Sequence, residues 1–79
     1  MVYELKLEQL GAEIEYATVL RWLKGEGESI DRGEPILEVE ADKANHEIES
    51  PVSGRLESIR AEEGDEVKVG AVLAVIDES

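Results

Sequence analysis

Glu40-Ala41-Asp42-Lys43-Ala44-Asn45 is the stretch whose residue types could do chemistry. It lies between two strand-like segments, Pro35 to Val39 and His46 to Ser50. In the second, polar residues alternate around Ile48. Asp42-Lys43 is therefore predicted to form the tip of a tight hairpin. A type I turn accepts these residues without glycine, and the Asp side chain can bond back to the backbone. A lysine at such a tip points into water and has no partner on its own strand. That suits a covalent attachment point better than a structural lysine. A lysine amine attacks an acyl group only when neutral, and its ordinary pKa is about 10.4. The sequence offers Lys43 no obvious base, so a separate ligase must activate the reaction. Read on hairpin chemistry alone, Lys43 is more simply an ordinary surface lysine; the surrounding pattern reverses that preference.

The other candidates carry less. His46 is the only histidine. It shares a strand face with Ile48, so it is expected to cover the edge of the core rather than act as a base. No Ser has an evident base-and-orienter set, and there is no Cys. Glu62-Glu63-Gly64-Asp65 fits no EF-hand spacing and reads as a turn with solvated charges. Trp22 reads as packing. Glu40 and Asp42 are, in the plainest reading, a solvated acidic rim.

Composition narrows the function classes. The chain has 79 residues, 20 acidic against 8 basic, and a net charge of −12. Phosphate backbones and anionic membrane surfaces would repel it, so neither nucleic acid nor membrane is an expected partner. The acidic residues are spread along the chain, which favours solubility and steering toward basic surfaces. No apolar run approaches the ~20 residues of a membrane-spanning helix. The N-terminus lacks a signal-peptide pattern. Without Cys there is no disulfide framework and no Cys-ligated zinc. With no Phe and one Trp, Leu, Ile and Val must fill the core.

Short strands must position the tip. Val2 to Leu7 alternates, with Leu5 and Leu7 inward. Glu8 to Glu15 reads as a surface loop, and Tyr16 to Lys24 as a strand ended by Gly25-Glu26-Gly27. Short strands follow at Ser29-Ile30, Pro35 to Val39, His46 to Ser50, Arg55 to Ala61, Glu66 to Val69 and Ala71 to Asp77. Pro35 opens its strand, where a missing N–H costs little. An internal repeat runs through them. Gly27-Glu28-Ser29-Ile30 aligns with Gly64-Asp65-Glu66-Val67, Gly33 with Gly70, Ile36 with Leu73, Val39 with Ile76, and Trp22 with Ile59. Neither half can bury a face alone, so the two should pack together. The expected fold is all-β: one domain over residues 1–79, a flattened barrel or sandwich of two antiparallel sheets with approximate two-fold symmetry. The lysine hairpin should stand at one end and both termini at the other.

Taken together, Gly-Glu-Gly-Glu-Ser-Ile-Asp-Arg-Gly-Glu-Pro-Ile, Glu-Val-Glu-Ala-Asp-Lys-Ala, Ser-Pro-Val-Ser-Gly and Glu-Glu-Gly-Asp-Glu-Val-Lys-Val-Gly resemble a lipoyl domain. Such domains belong to the dihydrolipoyl acyltransferase (E2) component of 2-oxo acid dehydrogenase complexes. The resemblance spans Tyr3 to Ile76. It implies covalent lipoic acid on Lys43 in amide linkage, flanked by Asp42 and Ala44. It also implies that Glu40 and Gly54 help the lipoyl ligase or transferase. The loop from Leu10 to Tyr16 is where such a domain meets the decarboxylase (E1). The further partners implied are the acyltransferase core and dihydrolipoyl dehydrogenase (E3), with the domain itself monomeric. Family members commonly have Met-Pro near the end of the first strand and Gly-Glu-Gly in the loop; here Leu7-Glu8-Gln9-Leu10-Gly11-Ala12-Glu13 stands instead.

Three rivals remain. A biotinyl carrier resembles this chain, but its target lysine usually lies between two Met residues, and the only Met here is Met1. An unmodified lipoyl-like interaction module usually lacks the lysine. A stand-alone enzyme would need a catalytic set that is not evident. The chain ends without an Ala/Pro-rich linker, compatible with an excised domain or a free-standing carrier. Its expected location is the bacterial cytoplasm, or the mitochondrial matrix if eukaryotic.

Overall fold

Eight strands, each continuing a run of alternating or β-branched residues, build two sheets in the computed structural model, which describes residues 1–78. They are β1 (Val2–Lys6), β2 (Tyr16–Trp22), β3 (Ser29–Ile30), β4 (Pro35–Ala41), β5 (Ala44–Glu49), β6 (Gly54–Ile59), β7 (Glu66–Lys68) and β8 (Val72–Glu78). One sheet has the order β1-β8-β6-β3 and the other β5-β4-β2-β7. All pairs are antiparallel.

The repeat is visible in every layer. β2, β3 and β4 have β6, β7 and β8 as counterparts, and β5 has β1. The short strands β3 and β7 each cross to the other half's sheet, so the halves interlock. Gly27 and Gly64 have φ of 91° and 92°, and Gly33 and Gly70 have 86° and 94°. These matched turns need a backbone conformation that side chains resist. The carboxylates match as well. Glu26 accepts the Ile59 N–H at 2.8 Å, and its counterpart Glu63 accepts the Trp22 N–H at 3.2 Å. The two residues thus cap each other's strands across the pseudo-two-fold axis.

β-bulges occur in matched pairs, at Ile36 and Leu73 and at Leu20 and Glu57. A bulge adds a residue and sharpens the local twist. It turns Ile36 and Leu73 inward beside Leu37 and Ala74, and all four are fully buried. Leu5, Leu7, Val19, Ile30, Val39, Leu56 and Ile76 complete a core with no aromatic ring among its fully buried side chains. Each such aliphatic side chain contributes roughly 1.5–3 kcal/mol on burial. Trp22 leans on this core from the rim and donates its indole N–H to the Ala61 carbonyl at 2.8 Å. His46 and Ile48 share the inner face of β5, half-buried, as expected.

The predicted strands are all present, with shifted ends. β4 runs on to Ala41 and β5 begins at Ala44, because the pairing Ala41–Ala44 closes directly on the two-residue loop. β2 stops at Trp22, short of Lys24, and β6 opens at Gly54, one residue before Arg55, and ends at Ile59, short of Ala61.

Candidate functional site

The site is built from β4 and β5. Leu37, Val39 and Ala41 face inward along β4, pairing with Ile48, His46 and Ala44 of β5. Burial of this face sets the register, since a one-residue slip would expose it. The chain then has two residues, Asp42 and Lys43, in which to reverse. Their φ angles are 51° and 61°. The expected type I turn is therefore replaced by its mirror form, type I′. The reason lies in the twist of the paired strands, which a type I′ turn matches and a type I turn opposes. The left-handed backbone costs a non-glycine residue roughly 1–2 kcal/mol, less for Asp than for Lys. The expected Asp42 bond back to the backbone is not among the hydrogen bonds of the described residues; in this turn geometry the side chain faces solvent.

Glu40, Asp42, Lys43 and Ala44 are all exposed and adjoin one another at this tip. Among the described residues the ion pairs are Met1–Asp77, Arg21–Glu38 and Lys24–Glu34, so Lys43 is free of any. Gly54 is not part of this group. It lies in the other sheet, between Ile30 and Glu78. A Cβ there would sit 2.2 Å from the Asp77 carbonyl oxygen, so close backbone approach is what requires glycine.

β4 starts at Pro35, linked through the Asp31–Glu34 turn to Ile30, which pairs with Gly54 beside the end of β8. Its seven residues then carry the tip roughly 23 Å away at 3.3 Å each. At the end it leaves, Met1 accepts the Glu78 N–H at 2.8 Å. The tip and the chain ends thus occupy opposite ends of a molecule 34 Å long and 20 by 18 Å across.

Tertiary structure adds neighbours that the sequence did not single out. Thr18 of β2 pairs with Glu40 on one side and with Glu66 of β7 on the other. Tyr16 shares crevices with Asp42, Lys43 and the Gly11–Glu15 loop. That loop is held in shape. The Gln9 amide donates to the Gly11 and Ile14 carbonyls, and Leu10 and Ile14 rest on the core. Glu13, Glu15, Glu40, Asp42 and Glu66 leave the tip strongly acidic apart from Lys43.

A rigid two-sheet scaffold that presents one unpaired lysine on a hairpin tip is the build of a covalent-attachment carrier. Comparison with known proteins agrees. The biotin/lipoyl family, described as "Biotin-requiring enzyme", matches residues 3–76. The chain is 42% identical to the dihydrolipoyllysine-residue acetyltransferase component of the pyruvate dehydrogenase complex of Corynebacterium glutamicum, over 96% of the chain and 11% of that protein. It is 44% identical to the dihydrolipoyllysine-residue succinyltransferase component of the 2-oxoglutarate dehydrogenase complex of Staphylococcus saprophyticus, over 95% of the chain and 18% of that protein. It thus spans between a tenth and a fifth of the length of these relatives. The solution structure of the lipoyl domain of the Azotobacter vinelandii 2-oxoglutarate dehydrogenase complex superposes with a TM-score of 0.79, at 32% identity and 96% coverage of both chains. A segment of Kluyveromyces lactis urea carboxylase shares the fold with a TM-score of 0.83, at 22% identity and over 98% of the chain and 6% of that protein. The chain belongs to the biotin/lipoyl family. Within it, this is a carrier domain of the lipoyl type found in dihydrolipoyllysine acyltransferases, not an enzyme in its own right.

Proposed function

We propose that Lys43 carries a lipoyl group in amide linkage and that the domain ferries acyl groups within a 2-oxo acid dehydrogenase complex. The observation that carries this reading is the tip itself: an exposed, unpaired lysine between Asp42 and Ala44, on a two-residue hairpin at the far end from the termini. The Asp42 and Ala44 flanks, without methionine, favour lipoate over biotin.

The residues divide the work. Lys43 supplies the nitrogen that forms the amide with the lipoyl carboxyl, losing its positive charge. A lipoyl ligase or transferase brings the activated acyl group and takes the proton. Glu40, Asp42 and Ala44 are the neighbours that such an enzyme reads, and Gly54 acts through the fold by letting β6 meet β8. The paired strands β4 and β5 hold the attachment point rigid, while the lysine stem and its load stay mobile. Once attached, the dithiolane supplies reductive acylation by the decarboxylase, acyl transfer at the acyltransferase core, and reoxidation by dihydrolipoyl dehydrogenase. Tethering raises the local concentration of the arm at each active site. The expected setting is the bacterial cytoplasm or the mitochondrial matrix.

The test is intact mass and peptide mapping after incubation with a lipoyl ligase, ATP and lipoate, beside a biotin ligase reaction with biotin. One lipoyl group on Lys43, with Lys6, Lys24 and Lys68 untouched, is expected. Biotin on Lys43 instead would make this a carboxylase carrier. No addition in either reaction would leave an interaction module.

A further inference from the structure

The two halves of the chain, residues 1–41 and 44–78, are joined by a single link, Asp42-Lys43. Strand pairs β1–β8, β2–β7, β3–β6 and β4–β5 run between the halves, while β2–β4 and β6–β8 lie within them. The core is shared in the same way. Leu5, Val19 and Leu37 come from one half, and Leu56, Leu73 and Ile76 from the other. A half alone leaves most of its strand edges unpaired and its apolar face in water, so it folds only against a partner half. Nothing in these pairings requires that both halves belong to one chain.

The link is also the strained point of the fold. Asp42 and Lys43 are the non-glycine residues at positive φ among the described residues, at 51° and 61°; the other positive-φ positions, Gly27, Gly33, Gly64 and Gly70, are all glycine. A type I′ turn favours Asn-Gly, and Asp-Lys meets that demand poorly. No spare residue eases it, because Ala41 pairs directly with Ala44. A short hinge under strain between two interlocking units is the condition under which copies exchange units. Exchange returns both hinge residues to negative φ, while each pairing between the halves forms again between copies.

We infer that two copies of this chain exchange halves at Asp42-Lys43, and that the exchange withdraws the attachment lysine. In the exchanged dimer, residues 1–41 of one copy close on residues 44–78 of the other. Lys43 then lies in the segment that passes between the two bodies, in extended backbone, and the hairpin tip is gone. The withdrawal rests on the carrier reading above; the exchange does not. The monomer accepts a lipoyl group and the dimer does not, so oligomeric state governs loading. Dilution reverses the exchange slowly, because each body must unfold before its halves can part.

The test refolds the 79-residue chain from urea at about 1 mM and at about 1 μM and measures its mass by sedimentation velocity. Dimer is expected from the concentrated sample and monomer from the dilute one. Val2→Cys/Asp77→Cys reports which copy each half belongs to, since these residues face each other across β1 and β8 and the chain has no other cysteine. After oxidation with glutathione disulfide, the dimer should run as a covalent pair on a non-reducing gel and the monomer as a single chain. Asp42→Asn/Lys43→Gly should lower the dimer fraction about tenfold or more and leave the circular dichroism of the monomer unchanged. A lipoyl ligase with ATP and lipoate should load Lys43 of the wild-type monomer and leave the wild-type dimer unmodified over the same time, read by intact mass. Monomer alone at both concentrations overturns the exchange. So does a dimer whose disulfide closes within each chain, which is two intact copies side by side. A dimer loaded as fast as the monomer overturns the withdrawal of Lys43. A monomer that accepts no lipoyl group overturns the carrier reading and the withdrawal with it, while the gel still decides the exchange.

Discussion

Lys43 holds a conformation that costs stability. Its φ of 61° is one that glycine adopts freely and lysine does not. Two substitutions separate its chemistry from its backbone. Lys43→Arg keeps the stem, the charge and the strain, so stability in urea should stay within ~0.5 kcal/mol while lipoylation is lost. Lys43→Gly removes the strain as well, and stability should rise by about 0.5–1 kcal/mol after the entropy of an added glycine is subtracted. A loss of stability on Lys43→Gly would mean that the lysine side chain itself supports the hairpin. Gly54 presents the opposite case. Gly54→Ala forces a methyl group against the Asp77 carbonyl and should cost about 3 kcal/mol. The folded fraction of that variant should still accept a lipoyl group at Lys43, because the tip is in the other sheet. Equal stability by denaturant titration would show that β6 and β8 can part without penalty.

The hairpin strands carry a like-charge conflict. Glu38 and Glu47 lie directly opposite each other on the outward face of β4 and β5. Arg21 of β2 partly offsets it with a 2.8 Å bond to Glu38. Like charges in direct cross-strand register destabilise a sheet. Glu47→Lys should therefore stabilise the domain by about 0.5 kcal/mol, more at low salt than at high. A thermal melt that drops instead would place a role for Glu47 elsewhere. The reciprocal caps Glu26 and Glu63 illustrate what was hard to read beforehand. Both were visible as turn residues, yet each serves a strand in the opposite half of the chain. Such a bond depends on how the halves pack, not on local spacing.

Acid pH loosens the whole molecule partly through the turn that launches β4. The Glu34 carboxyl is held below its ordinary pKa, first by the Asp31 N–H that it accepts and then by Lys24, 3.1 Å away; burial opposes this weakly. A folded-state pKa below the unfolded value means that the stabilisation is present above the ordinary glutamate range and is lost as pH falls through the folded value. Melting temperature should thus decline as pH drops below about 4.3. In Glu34→Gln that decline should be shallower, and an identical slope would assign the acid sensitivity to other carboxylates. At this scale the shape also has a use. It sets Lys43, the proposed attachment point, at the opposite end of the 34 Å molecule from Met1 and Glu78.

By itself the sequence determined the strand periods, the glycine turns, the repeat and the lysine between two strands. These signals are local: alternation reports which face is buried, and a glycine reports where the backbone must turn left-handed. Tertiary structure alone decided three things. It made the lysine turn left-handed, because the twist of two paired strands, not the turn residues, selects its hand. It sent β3 and β7 into each other's sheets. It also gathered Tyr16, Thr18 and Glu66 beside the tip while placing Gly54 at the far end. Each of these depends on pairing between segments far apart in the chain, and cross-strand neighbours exist only once the two sheets have closed on a shared core.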